Sequence, residues 1–363
     1  MPAAETVPIA VGASGQGPRL AYVDGLRGVA ASWVVLFHAD EGGHVPILKD
    51  WLPDWLHAMI FEWGDLGVAI FFALSGFVIA HSLRGRRVDA QLFGRFTLRR
   101  ALRLDPPYFA SIVLVVVVGA LSASIKGESF ELPAVGQLLA HLVYLQTFLG
   151  YDQINIVYWT LCMEIQFYLI YCAAEGVATR INASRRVADM VVFGPLAVVA
   201  IVWGAGLVSW GWRGLFVSHW HGFLLGALAQ WAWIGRLRSG RFLLFCSMLG
   251  VAATVRGDAF TLACTVTAVF LCFASFRPVL GGWLGGSVLQ FLGRISYSLY
   301  LIHNTVTGAA FWLIYRLFGK SGVVQVLAVP FVFLACAIAA WGLWWLVERP
   351  CLRIARGVRI ARV

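Results

Sequence analysis

Charge is what this chain has least of. Only 13% of its 363 residues are Asp, Glu, Lys or Arg, and 18 of them are acidic. A soluble domain carries about twice that share. With 60% of the residues hydrophobic, too few polar side chains remain to cover a globule in water, which excludes a soluble protein and predicts a multi-pass membrane protein. The seven cysteines, at 162, 172, 246, 264, 272, 336 and 351, are scattered through apolar runs with no C-x-x-C spacing. That excludes a disulfide framework and a sequence-evident zinc site, and makes small buried hydrophobes of them. Residues 1–18 hold neither Lys nor Arg and no apolar core, so no cleaved leader is expected. Neither an internal repeat nor a low-complexity segment is present. The net charge of +10 sits in short connections, the positive-inside pattern of membrane proteins, and does not point to nucleic acid.

The fold class expected is all-α, a polytopic membrane helical bundle. Apolar stretches of spanning length lie near 26–40, 66–83, 107–125, 158–178, 188–210, 214–234, 242–256, 258–276, 295–317 and 323–347. The connections 84–103, 180–186 and 236–241 and the tail 349–362 are basic and belong on the cytoplasmic side. All four fall on one side only if the further apolar stretch 134–150 does not cross. It is read as an interfacial or re-entrant helix. The result is about ten transmembrane helices with both termini cytoplasmic, in the cell inner (plasma) membrane. The loop 41–63, with Glu41, Asp50, Asp54 and Glu62, then lies outside. Three parts follow: a short cytoplasmic tail 1–19, a membrane domain 20–350 and a basic cytoplasmic tail 351–363.

Against this background the polar residues inside apolar runs carry the information, because an ionisable group in hydrocarbon is costly unless paired or facing a wet cavity. "GLRGVAASWVVLFHAD" (25–40) holds Arg27 and His38. Eleven residues are three helical turns plus about 20°, so the two share one face about 16 Å apart. As bland alternatives, Arg27 is a snorkelling anchor and His38 a core histidine bonded to a carbonyl. In "RFTLRRALRLDPPYF" (95–109), Arg95, Arg99 and Arg103 form an i, i+4, i+8 stripe with Arg100 beside it. That stripe is either a topology signal or a fork-shaped clamp for phosphate. Pro106 and Pro107 are expected to break this helix and turn the chain into the third span. "VYWTLCMEIQFYLIY" (157–171) buries Glu164, whose partner is expected among Arg27, a loop arginine or a histidine. "LGRISYSLYLIHN" (292–304) holds Arg294 and His303; nine residues place them on opposite faces. His219 and His221 read as interfacial.

Together these segments resemble acyltransferase family 3, integral membrane O-acyltransferases, over roughly residues 20–355. "YVDGLRGVAASWVVLFH" (22–38) is similar to the family's signature of an Arg and a His separated by ten residues. "GDLGVAIFFALSGFVIAHSL" (64–83), the Arg-rich segment 95–109, "YWTLCMEIQFYL" (158–169), "ISYSLYLIH" (295–303) and "VERP" (347–350) follow in the family's order. One departure is Cys162-Met163, where small polar residues are common. The resemblance implies an acyl-CoA-dependent O-acyltransferase that moves an acyl group, acetyl expected, from cytosolic acyl-CoA to a hydroxyl of a saccharide-containing acceptor: a surface polysaccharide, a lipid-linked glycan or a glycosylated small molecule. The partners implied are therefore acyl-CoA, that acceptor and the lipid bilayer, with acyl-CoA as co-substrate, no permanently bound cofactor and no metal. His38, Arg27 and Glu164 become the catalytic candidates. Arg99, Arg100, Arg103 and Arg95 become the acyl-CoA-binding candidates, and Asp24, Ser75, Tyr158, Trp159 and His303 are acceptor-binding or supporting candidates. Glu348 and Arg349 are read as anchors without a chemical role. The rival reading is a multi-span transporter with an intramembrane Arg/His/Glu proton relay.

Overall fold

The structure, a computed structural model, describes residues 20–208 and 214–358. The expected tail 1–19, the last five residues of the tail 351–363, and the end of the span drawn at 188–210 lie outside the described residues. Fourteen α-helices make up the fold, with no strand among the described residues. In chain order they are α1 (Ala21–Glu41), α2 (Ile47–Trp51), α3 (Asp54–Ile60), α4 (Gly67–Leu83), α5 (Ala90–Lys126), α6 (Val135–Leu142) and α7 (Trp159–Arg180). There follow α8 (Arg185–Gly204), α9 (Trp220–Trp233), α10 (Ser239–Arg256), α11 (Ala259–Phe276), α12 (Ser287–Phe318), α13 (Gly322–Leu343) and α14 (Arg349–Gly357).

Local chemistry explains many of the ends. Asp89 caps α5 by accepting from the Leu92 amide at 2.7 Å, and Asp258 caps α11 through the Thr261 amide at 3.0 Å, each satisfying a donor that the first turn leaves over. Gly127 and Gly257 close α5 and α10 in the left-handed conformation, which glycine adopts without a Cβ penalty.

Among the described residues, six helical segments are long and apolar enough to cross a membrane: Asp54–Leu83, Ala90–Lys126, Ile156–Arg180, Arg185–Gly204, Ala259–Phe276 and Gly322–Gly357. The other four expected spans are helices too, namely α1, α9, α10 and α12, but are shorter or more polar than that. Outward faces are apolar: Val113, Val117 and Leu121 on α5 and Leu327, Phe331, Leu334 and Ile338 on α13 are all exposed. The segment 134–150 forms only the eight-residue α6 followed by turns. Eight residues rise about 12 Å, far short of the roughly 30 Å of hydrocarbon, in keeping with a stretch that does not cross.

One expectation needs correction. Pro106 and Pro107 do not break the helix, since both lie inside the continuous 37-residue α5. The two lost backbone donors are tolerated because α5 is held from several sides, by α7, α12 and α14, and Tyr297 Oη donates to Leu104 O at 2.8 Å beside the prolines. After a π-helical turn at Trp344–Glu348, the described part of the basic tail, residues 351–357, continues as α14, packed on α5.

The core is built on two close crossings. Where α1 meets α12, a Cβ added to Gly293 would fall 1.9 Å from Asp24 O, and one added to Gly28 2.6 Å from Leu289 O. Where α4 meets α9, Gly76 and Gly226 do the same: a Cβ on either would fall 1.8 Å from the other helix, at Phe223 O and Ala73 O respectively. Small residues that let backbones touch are the usual means of packing helices in lipid, where no hydrophobic drive separates helix from solvent.

Candidate active site

The α1–α12 crossing places Arg27 against α12. Its Nε donates to Ser296 Oγ at 3.1 Å, and that hydroxyl donates in turn to Gly293 O at 2.9 Å. Arg27 faces a narrow inner cavity between α1, α4, α5, α7 and α12, whose polar wall also includes Ser75, Arg100, Arg103, Glu164 and Tyr168. Glu164 accepts from Ser75 Oγ at 2.6 Å and from Tyr168 Oη. Arg100 lies over the Tyr168 ring, 4.8 Å from its centroid, a cation–π contact that holds the guanidinium in the wall. Glu164 therefore has two hydroxyl donors, and the polar neighbour lacking at Cys162-Met163 is supplied from α4, 89 residues away in sequence.

A second, more open space adjoins the first. Arg27, Val78 and Arg103 line both, so these residues stand at the boundary. The outer space also takes in Asp24, Arg294, Glu348, Arg349, Arg353 and Arg356. Glu348 is buried at 2% exposure and accepts from Ser298 Oγ at 2.7 Å.

At the other end of α1, His38 is 8% exposed. Its ring centroid lies 5.1 Å from that of His303, which is fully buried. His303 Nδ1 is 2.8 Å from Tyr300 O and 3.2 Å from Leu299 O. Carbonyls only accept, so Nδ1 carries the proton and Nε2 holds the lone pair. That Nε2 is buried with no hydrogen-bond partner. His38 Nδ1 lies 3.3 Å from Glu41 Oε2; a proton shared there leaves His38 Nε2 as the basic nitrogen. The His pair sits behind Tyr300, which lines the inner cavity and whose ring is 5.9 Å from that of His303. Beyond it, on α3, His57 bridges Asp40 and Glu62 at 3.3 and 3.4 Å. Burial and the Lys320 charge hold His44 below the usual histidine range.

The residues singled out by the sequence thus divide. Arg27, Ser75, Arg100, Arg103 and Glu164 meet in the inner cavity, and Asp24 joins the outer one. His38 and His303 form a pair that lines neither space. Arg95 is exposed and Arg99 half-buried, both outside the two linings. Tyr158 is buried, its hydroxyl 2.8 Å from Ser111 Oγ, and Trp159 packs against Phe72 and His219. Sequence reasoning missed Glu41 on His38, although an i, i+3 spacing on one helix was there to find it. It also missed the part of Arg294, Arg349, Arg353 and Arg356 in the outer space. The i, i+4, i+7 spacing of the last three on α14 puts them on one face.

The chain has relatives among proteins named as O-acetyltransferases. YrhL of Bacillus subtilis, provisionally named a peptidoglycan O-acetyltransferase, is 26% identical over 326 residues, covering 78% of this chain and 48% of its own. The peptidoglycan O-acetyltransferase OatA of Listeria monocytogenes is 28% identical over 204 residues, 52% of this chain and 28% of its own. A Staphylococcus aureus protein provisionally named an O-acetyltransferase is 23% identical over 334 residues, 78% of this chain and 50% of its own. The chain thus spans about half the length of the relatives it matches, or less. No solved structure matches. The family model for acyltransferase family 3, described as an acyltransferase domain, matches residues 20–348, and the chain belongs to that family of multi-pass membrane acyltransferases.

Proposed function

We propose that the protein O-acetylates a saccharide, drawing the acetyl group from cytosolic acetyl-CoA in the plasma membrane and passing it to a hydroxyl of a cell-envelope glycan. The names of its relatives favour peptidoglycan as the acceptor. The observation that carries this reading is α1 itself. At one end Arg27 opens onto an arginine-lined space suited to an anionic donor, and at the other a buried imidazole is oriented by a carboxylate. In this reading Arg27, Arg100 and Arg103 hold the phosphates of CoA, to which arginine forks are matched. The thioester reaches towards His38, about 16 Å along the helix. Nε2 of His38 takes the proton from the acceptor hydroxyl while Glu41 keeps the ring oriented. The acceptor oxygen bonds to the thioester carbon, the C–S bond breaks, and the proton is returned to the departing CoA thiolate. Glu164, occupied by Ser75 and Tyr168, fixes the wall that carries Arg100. That arrangement also weighs against a transporter relay, because a carboxylate satisfied by two neutral hydroxyls is a poor link between Arg27 and His38.

The test is acetyl transfer by the purified full chain. With labelled acetyl-CoA and peptidoglycan fragments, mass spectrometry should find an ester on a sugar hydroxyl, and the His38→Ala protein should form it about 10²–10⁴-fold more slowly. Label that stays on CoA with every glycan tried would reject the reading.

A further inference from the structure

We infer that α14 forms one wall of an anion site and reads the terminal phosphate of the donor. This rests on the acyl-CoA reading for the ligand's identity, but the site stands on its own geometry. The outer space is lined by six arginines, Arg27, Arg103, Arg294, Arg349, Arg353 and Arg356, against two carboxylates, Asp24 and Glu348. The difference is an excess of four positive charges. Arg99, just outside the lining, adds repulsion because it feels the charges of both Arg103 and Arg356. Like charges gathered this closely oppose folding unless an anion joins them.

A second observation points to what that anion offers. Arg103 Nε and Trp344 Nε1, on residues that line the space, are buried N–H donors with no acceptor. A buried unpaired donor costs about 1–3 kcal/mol, and such groups are rare without a reason. Both call for oxygen acceptors. The arginines come from elements far apart in sequence, on α1, α5, α12 and α14, which a plain topology signal does not require. On α14, Arg349, Arg353 and Arg356 fall within about 60° of one face, and Arg349 is steadied over the Trp344 ring at 5.5 Å. Arginine is the residue suited to forked recognition of phosphate oxygens. A phosphomonoester brings about two negative charges at neutral pH, and a diphosphate brings more. The ligand class is therefore a nucleotide with more than one phosphate. The boundary residues Arg27 and Arg103 would take the phosphates nearest the inner cavity, and the α14 face the one furthest from it, the 3′-phosphate of CoA. The same chemistry is offered by anionic lipid headgroups, to which basic amphipathic helices bind, so the test must separate the two.

The full chain and its Arg353→Gln/Arg356→Gln variant would be placed in nanodiscs of phosphatidylcholine alone and titrated with CoA, dephospho-CoA and adenosine 3′,5′-bisphosphate. Losing charge-assisted phosphate contacts should weaken CoA and the bisphosphate tenfold to a hundredfold and leave dephospho-CoA nearly unchanged. Arg353→Lys/Arg356→Lys keeps charge and topology, so it folds if the first variant does not; it should lose the preference for CoA over dephospho-CoA. Equal titrations for wild type and variants, or no binding of the bisphosphate by wild type, would overturn the inference. So would a variant effect that appears only when phosphatidylglycerol is added, since the headgroup would then be the ligand. Arginine-dependent binding of the bisphosphate in a protein that never transfers acetyl from acetyl-CoA would uphold the anion site and reject the acyltransfer reading alone.

Discussion

At one end of α1 the guanidinium of Arg27 stands on the boundary of two polar spaces, among five further arginines. Eleven residues later the imidazole of His38 is 8% exposed and meets another imidazole, the Phe37 ring and one carboxylate. The first end is built for a charge that stays fixed. Arginine remains protonated at any pH a cell meets, and its space is large and open. The second end is built for a charge that comes and goes. Histidine is the side chain that exchanges a proton near neutrality, and here it is shielded from bulk water. In the proposed reading, a single helix separates binding from proton transfer by three turns. Damage to one end should therefore leave the other's task intact.

The sharpest way to break that division is at His38. His38→Ala should lower acetyl transfer by about 10²–10⁴-fold, the usual contribution of a general base, with CoA affinity unchanged by calorimetry. A variant that turns over like wild type would remove His38 from the chemistry. The converse lies at the arginine end. Arg103→Lys should weaken CoA roughly tenfold to a hundredfold, because Lys is a poor substitute for a forked donor, while turnover at saturating donor changes little. Arg95→Lys is the control: its side chain is exposed and outside both spaces, so its CoA titration should overlay wild type. If both variants bind alike, the stripe 95–103 is a topology signal only.

Two smaller effects refine the picture. Glu348→Gln keeps the shape but turns the charge-assisted bond from Ser298 into a neutral one, a loss of about 1 kcal/mol. Thermal melting should show a lower midpoint with the rate little altered. A fully stable Glu348→Gln protein with no activity would move Glu348 into the mechanism. Glu41→Gln tests the orienting carboxylate. Its side chain is 49% exposed, and contacts of that kind contribute about 0–1 kcal/mol, so the rate should fall no more than about fivefold with CoA affinity untouched.

How much of this could be read from the chain follows the same geometry. The Arg27–His38 axis was legible because a helical period alone fixes it. So was the helical character of the stretches 66–83 or 323–347, where composition leaves no alternative. Partners across helices were not legible. Ser75 and Glu164 are 89 residues apart, and nothing in their local patterns names the other. The outer space needs Arg27 and Arg356 to line one space across more than 300 residues, and the basic C-terminal stretch reads locally as a basic cytoplasmic tail. The proline pair misled because a rule about isolated helices gives way when neighbouring helices hold the segment. Cys162-Met163 likewise signalled a missing local donor while the donor came from another helix.

The reciprocal glycine contacts have a mechanical consequence. Where Gly28 meets Gly293 and Gly76 meets Gly226, backbone rests on backbone, and there is no layer of side chains to yield. Such seams resist both rolling and compression, and Gly67 ties the two pairs together, since a Cβ on it would fall 2.7 Å from Ala30 O of α1. No glycine on α5 or α14 lies against the backbone of another helix, so Arg100, Arg103, Arg353 and Arg356 ride on side-chain packing, while the His38–His303 pair sits on the backbone-to-backbone seam of α1 and α12.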